Sequence, residues 1–107
     1  MNNIKILGRL TNAPEHKTAT NGRSYAFFTV ATPRQNNRDE ADFIRCVAFD
    51  KLADAIAQHC GKGRQVLLDG RLEVSVNDNG NDKPTFFHTV IAHHVDFLHD
   101  PHRQPAA

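Results

Sequence analysis

No stretch of the 107-residue chain stays apolar for more than about five residues, so none can cross a bilayer as a helix. The opening, Met1-Asn2-Asn3-Ile4-Lys5, lacks the basic start and unbroken apolar segment of a secretory signal. Both absences predict a soluble, cytoplasmic protein. An excess of one charge is missing too. Thirteen Lys and Arg against twelve Asp and Glu leave +1, so bulk charge selects no partner and attraction to a polyanion depends on where the cations sit. Only two cysteines occur, Cys46 and Cys60, outside any C-x-x-C pair; a disulfide framework is excluded and two free, buried thiols are expected. What remains is an ordinary globular balance, 39% hydrophobic and 23% charged, which argues against disorder and suits one domain with one modest core.

Catalytic signatures are equally sparse. There is no glycine-framed Ser or Cys, no phosphate-cradling Gly-rich loop before a helix, and no carboxylate pair in an apolar setting. The seven histidines do not form a ligand set. His93 and His94 are neighbours in a strand and point to opposite faces, while His94, His99 and His102, even with Asp96 and Asp100 nearby, lack recognisable metal-ligand spacing. The chain reads as a binding module, not an enzyme, with no metal or cofactor expected.

The pattern predicts five strands and one helix. Ile4-Lys5-Ile6-Leu7-Gly8-Arg9-Leu10 alternates, with Ile4, Ile6 and Leu10 on one face and Lys5, Leu7 and Arg9 on the other. A polar stretch over 11–23 holds the Asn21-Gly22 turn signal, and a second strand follows over 25–31. A polar loop over 33–40 leads to a third strand over 43–49. Asp50 is placed as the N-cap of a helix reaching about Cys60, with Leu52, Ile56 and Cys60 spaced by four and Gly61 as its C′ stop. The fourth strand covers 65–76, with Val66, Leu68, Leu72, Val74 and Val76 on one side and Gly70 marking a bulge or bend. The fifth covers about 85–98. Three strands, a helix and two strands suggest an all-β oligonucleotide/oligosaccharide-binding (OB) barrel of five strands whose open end the helix plugs. Element order alone leaves a different small α+β sheet open. The domain is expected over 1–98, with a short flexible tail over 99–107.

The third strand carries the most chemistry. Ile44, Cys46 and Ala48 form a compact apolar face, and Phe43, Arg45, Val47 and Phe49 form the other. Exposed aromatics offer stacking to any base, worth about 1–3 kcal/mol each, and a neighbouring Arg can take a phosphate. That combination suits a sequence-tolerant binder of single strands. The alternative is that Phe43 and Phe49 pack against another sheet or subunit and Arg45 is a solvated charge. Arg9, Lys51, Lys62, Arg64 and Arg71 lie on strands or beside the helix, and each alone reads most simply as a surface charge.

Taken in order, Ile4-Lys5-Ile6-Leu7-Gly8-Arg9-Leu10, Pro14-Glu15, Asn21-Gly22, Phe28-Thr29-Val30-Ala31, Ala41-Asp42-Phe43-Ile44-Arg45-Cys46-Val47-Ala48-Phe49, Lys62-Gly63, Asp69-Gly70-Arg71-Leu72 and Val95-Asp96-Phe97-Leu98 resemble bacterial single-stranded-DNA-binding proteins over roughly residues 2–98. The resemblance implies an OB fold, assembly as a homotetramer more than as a dimer, single-stranded DNA wrapped around it, and contacts with replication, recombination or repair proteins. It implies base stacking at Phe43 and Phe49 and cations near the DNA path at Arg45, Lys51 and Lys62; Arg9 and Arg71 complete the expected contact set. Two departures follow. Asn36 and Asn77 stand where well-studied members have stacking tryptophans, which implies weaker binding or a shorter occluded length, and Glu73 and Ser75 replace residues that are basic in some relatives. The chain stops at Pro105-Ala106-Ala107 without the acidic tip common in the family, so a short form without that recruiting role is expected. A dimeric primosomal OB adaptor, contacting a helicase loader as well as DNA, is the alternative assignment.

Overall fold

The computed structural model describes residues 1–78, 80 and 83–102. The chain forms β1 (Ile4–Leu10), β2 (Glu15–Thr18), β3 (Ser24–Pro33), β4 (Ala41–Phe49), α1 (Asp50–His59), β5 (Gln65–Asn77) and β6 (Thr85–Phe97). The sheet order is β1-β5-β6-β4-β3-β2, and an added β1–β3 pairing closes β1, β5, β6, β4 and β3 into a ring. Every neighbouring pair is antiparallel except β4 and β6, which meet in parallel at Cys46↔Val90 and Val47↔Ile91. This is the expected five-stranded barrel, and its helix follows the third strand of the ring.

Period-two alternation builds the interior. Ile6 and Leu10 from β1, Ala26, Phe28 and Val30 from β3, Cys46 and Ala48 from β4, and Val66 and Leu68 from β5 all turn inward and are buried. Ala53, Ile56 and Cys60 of the α1 segment close one end of this core. Closure brings backbones together at two glycines. A Cβ on Gly8 would collide with the Ala31 carbonyl oxygen and the Val30 side chain where β1 crosses β3. A Cβ on Gly70 would collide with the Ile91 carbonyl oxygen, at the register shift between Asp69 and Gly70 that bends β5.

Four local expectations are corrected. The polar stretch over 11–23 contains a strand, β2; all four of its residues are exposed, and backbone pairing to β3 holds it, so no apolar pattern announces it. Asp50 is not the N-cap. Phe49 occupies that position without a side-chain cap, while Asp50 adopts φ +58° and turns its carboxylate to Arg23. Gly61 does not stop the helix through a left-handed turn; Cys60 is an extended C-cap whose N–H donates to the Ile56 carbonyl, and the left-handed glycine is Gly63. Val74 and Val76 continue the alternation of β5 but lie beyond the barrel on an exposed two-stranded arm with the start of β6, so they are not core.

Residues 99–102, assigned from sequence to a flexible tail, are tied down. Gln65 N–H donates to the His99 carbonyl, Arg64 pairs with Asp100 at 3.4 Å, and a His102 ring nitrogen lies 2.9 Å from the Lys62 carbonyl. Arg64 is largely buried, with its guanidinium 5.6 Å from the centre of the Phe97 ring, so it anchors this segment. The rest of the expected tail, 103–107, lies outside the described residues.

Candidate nucleic-acid interface

The outer face of β4 is set by the alternation that fills the core. Antiparallel pairing to β3 places Tyr25 beside Phe49, Phe27 beside Val47, Thr29 beside Arg45 and Ala31 beside Phe43. Four rows of outward side chains therefore run across two strands. Along β4, Phe43 and Phe49 are separated by roughly 20 Å, from a rise of about 3.3 Å per residue. Phe43 is 70% exposed. Val47 alternates to the same side but is 4% exposed; it separates the two aromatic ends and offers nothing to a ligand.

Three grooves open along this face. The largest, of about 580 Å³, is lined by Phe43, Ile44, Arg45, Lys5, Leu72, Phe86, Phe87 and His88 among others. A second, of about 320 Å³, holds Phe27, Thr29, Lys17, Asn12 and again Arg45. Arg45 thus stands between two depressions, and among the described residues no carboxylate pairs with it. A third, of about 520 Å³, contains Phe49, Arg23, Asp50, Arg71, Glu73 and His93.

The remaining expected contacts fall into two groups. Arg71 lies in the Phe49 groove, with Nη1 3.3 Å from Glu73 Oε2. Lys51 is exposed in the first turn of α1, directly after Asp50. Arg9 and Lys62 are elsewhere. Arg9 Nη1 donates to the Gly63 carbonyl at 2.9 Å and lies 3.3 Å from a ring nitrogen of His99, and its groove is shared with Leu7, Pro33 and Arg38 rather than with the aromatics. Lys62 is exposed in the connection between α1 and β5. So Phe43 and Arg45 share one groove, Phe49 and Arg71 another, and Arg9 and Lys62 line neither.

Local charges away from β4 are largely compensated. Lys5 Nζ lies 3.5 Å from Asp69, whose carboxyl is held below its ordinary range by the Asn3 amide and then by Lys5. His16 and Asp54 meet at 2.8 Å. His94 contacts Asp96 at 2.9 Å. Among the described residues no cluster of three or more His, Cys, Asp or Glu is placed to hold a metal ion.

Sequence reasoning missed several members of this face. Tyr25 and Phe27 stand two apart on β3 and pack edge to face with ring centres 5.5 Å apart; their alternation against Ala26 and Phe28 was the available signal. Phe86 and Phe87, both exposed, come from the arm. Phe86 pairs with Val76 and Phe87 with Ser75, so aromatic surface sits beside Asn77 at the end of β5. Nothing in the strand pattern alone places these rings in one groove with Phe43, because that depends on barrel closure. Arg23 was also missed: its guanidinium lies over the Phe49 ring, 4.6 Å from the centroid.

Comparison with known proteins bears on this geometry. The single-stranded DNA-binding protein of Fusobacterium nucleatum is 41% identical over 103 residues, covering 91% of this chain and 66% of that protein. That of Clostridium perfringens is 37% identical over 99 residues, covering 92% of this chain and 66% of that protein. The chain therefore spans just under two thirds of the length of these relatives. Among solved structures, Plasmodium falciparum SSB in complex with ssDNA superposes with a TM-score of 0.78 at 26% identity, covering 92% of this chain and 96% of that one. The sequence model of the single-strand binding protein family matches residues 1–98, the whole barrel with both the β4 face and the arm, and the chain belongs to that family.

Proposed function

We propose that the chain binds single-stranded DNA without sequence preference, as a binding module rather than an enzyme. The observation that carries this reading is Phe43, 70% exposed beside the unpaired Arg45 in a groove that also presents Phe86 and Phe87. A ring face left in water at the mouth of a groove costs hydration free energy, and an unpaired base recovers it by stacking. Duplex bases are already stacked on one another and gain nothing from such rings. Arg45 supplies the counter-charge for the phosphate between neighbouring bases. Phe86 and Phe87 offer stacking surface on the arm that Asn77 does not, so we assign them to the contact set with Phe43, Arg45, Phe49, Lys51 and Arg71. Arg9 and Lys62 belong to it only if the strand continues around the barrel to the start of β5.

We propose further that a second copy covers the outer face of β1 and β5, in a homotetramer. Leu7 and Leu67 are register partners there, 50% and 39% exposed, and two apolar side chains side by side on a sheet suit burial against another subunit. No helix of the described chain is long and apolar enough to cross a membrane, and we assign the protein to the cytoplasm, serving replication, recombination or repair. The direct test is titration with oligo-dT of graded length at two salt concentrations. Binding should require a minimum length and weaken with salt, with a log–log slope of about −0.7 per phosphate contacted. Binding that ignores length would contradict the grooved track.

A further inference from the structure

The two aromatic ends of β4 are not equivalent. Among the described residues no ring or cation lies over Phe43. Phe49 is half-buried, and the Arg23 guanidinium lies 4.6 Å above its centroid. Arg23 is held there by its Nε, which donates to both carboxylate oxygens of Asp50 at 3.0 and 3.1 Å. Asp50 in turn sits at φ +58°, a left-handed conformation that Asp adopts more readily than most L residues. The Ser24 hydroxyl donates to the Asp50 carbonyl at 3.1 Å and helps fix that turn. The Asp50 carboxylate and the Phe49 ring therefore converge on one guanidinium.

Nε is engaged, but among the described residues neither Nη of Arg23 has a protein acceptor. The guanidinium lies over the Phe49 ring, and Arg23 lines a groove of about 520 Å³ together with Arg71 and His93. Asp50 and Glu73 balance Arg23 and Arg71 in the lining of the groove, and the exposed Lys51 follows Asp50 in the chain. A planar fork with free Nη donors fits two oxygens of a phosphate. A base, by contrast, can reach the covered face of Phe49 only by displacing the guanidinium and breaking its hydrogen bonds to Asp50.

We infer that Arg23, laid over Phe49 and oriented by Asp50, is a phosphate-contacting residue, so that the nucleotide at this end of β4 is held by its backbone rather than by stacking its base on Phe49. This rests on the single-strand reading above and revises the role of one residue within it. Phe49 becomes the support on which the phosphate contact is built, and base stacking belongs to the Phe43 end.

The test is anisotropy titration of labelled oligo-dT at several salt concentrations with wild type, Arg23→Ala, Arg23→Lys, Phe49→Ala and the Arg23→Ala/Phe49→Ala pair, each checked for folding by thermal melting. Arg23→Ala should weaken binding about tenfold and reduce the magnitude of the salt slope by about 0.7. Arg23→Lys, which keeps the charge and is the milder change to the fold, should restore the slope but not the affinity, since a lysine has neither the plane nor the fork. Phe49→Ala should cost little more once Arg23 is gone. Unchanged or tighter binding by Arg23→Ala, an unchanged slope, or a full Phe49→Ala loss in the Arg23→Ala background would each overturn the assignment. If wild type fails to bind oligo-dT, the single-strand reading falls with it; if wild type binds and Phe43→Ala weakens it while Arg23→Ala does not, only the Arg23 assignment fails.

Discussion

Replacing Phe43 by Ala separates stacking from packing because the side chain is so little used by the fold. Full burial of a Phe is worth about 1.5–3 kcal/mol. With 70% of Phe43 exposed, only some 30% of that, about 0.5–1 kcal/mol, is at stake in folding. As a stacking platform the same ring is worth about 1–3 kcal/mol per base, which corresponds to a loss of affinity of about five- to 150-fold. The variant should therefore melt close to wild type yet bind oligo-dT much more weakly, read by thermal unfolding and by anisotropy on the same preparation. Phe28→Ala is the contrasting change: Phe28 is 5% exposed and turned into the core, and its loss should cost about 3–5 kcal/mol of stability. A Phe43→Ala protein that melts normally and binds normally would refute the reasoning, because the exposed ring would then serve something other than a base, such as packing against another subunit.

Asp at both Leu7 and Leu67 would place two charges side by side on the face proposed for self-association; light scattering should show smaller particles, and an unchanged mass would remove that face from the interface. A wild-type dimer in the same measurement would favour the adaptor assignment over the tetramer. Gly70→Ala drives a Cβ into the Ile91 carbonyl at the β5 bend and should destabilise by about 1–3 kcal/mol, lowering the melting temperature; equal stability would mean the barrel relaxes there freely. Burial pushes the Cys46 thiol up to about 12 and the Cys60 thiol up to about 11, from 9.0. Both should resist thiol reagents at pH 8 until denaturant is added. The native state keeps these protons while the unfolded chain loses them, so their contribution to stability is full below about pH 9 and declines as pH rises toward 11–12; rapid native labelling would contradict their burial.

The barrel was legible because burial imposes alternation, and β1, β3, β4 and β6 alternate where they line the core. Even Gly70 announced itself, since a glycine in an otherwise strong strand has few roles besides a bend. Legibility stopped where burial stopped. β2 is held by backbone pairing alone, so its side chains record nothing. Val74 and Val76 repeat the core pattern on an arm that has left the core. Phe43 and Arg45 were visible as one face of one strand, but their partners Phe86 and Phe87 come from more than forty residues away in the chain and meet them only through the β4–β6 closure. Asp50 shows the limit most plainly: its identity and position fit an N-cap, and the competing claim came from Arg23, twenty-seven residues earlier. A residue distant in the chain, invisible to a local reading, pairs with that carboxylate.

The most direct measurement is competition between a labelled oligo-dT and unlabelled DNA of one mixed sequence, offered first as single strand and then as its blunt duplex at the same salt. The single strand should displace the label at far lower concentration, because only unpaired bases can lie against Phe43, Phe86 and Phe87. Equal displacement by the duplex would show that cations alone hold the DNA, and the exposed rings would have no part in it.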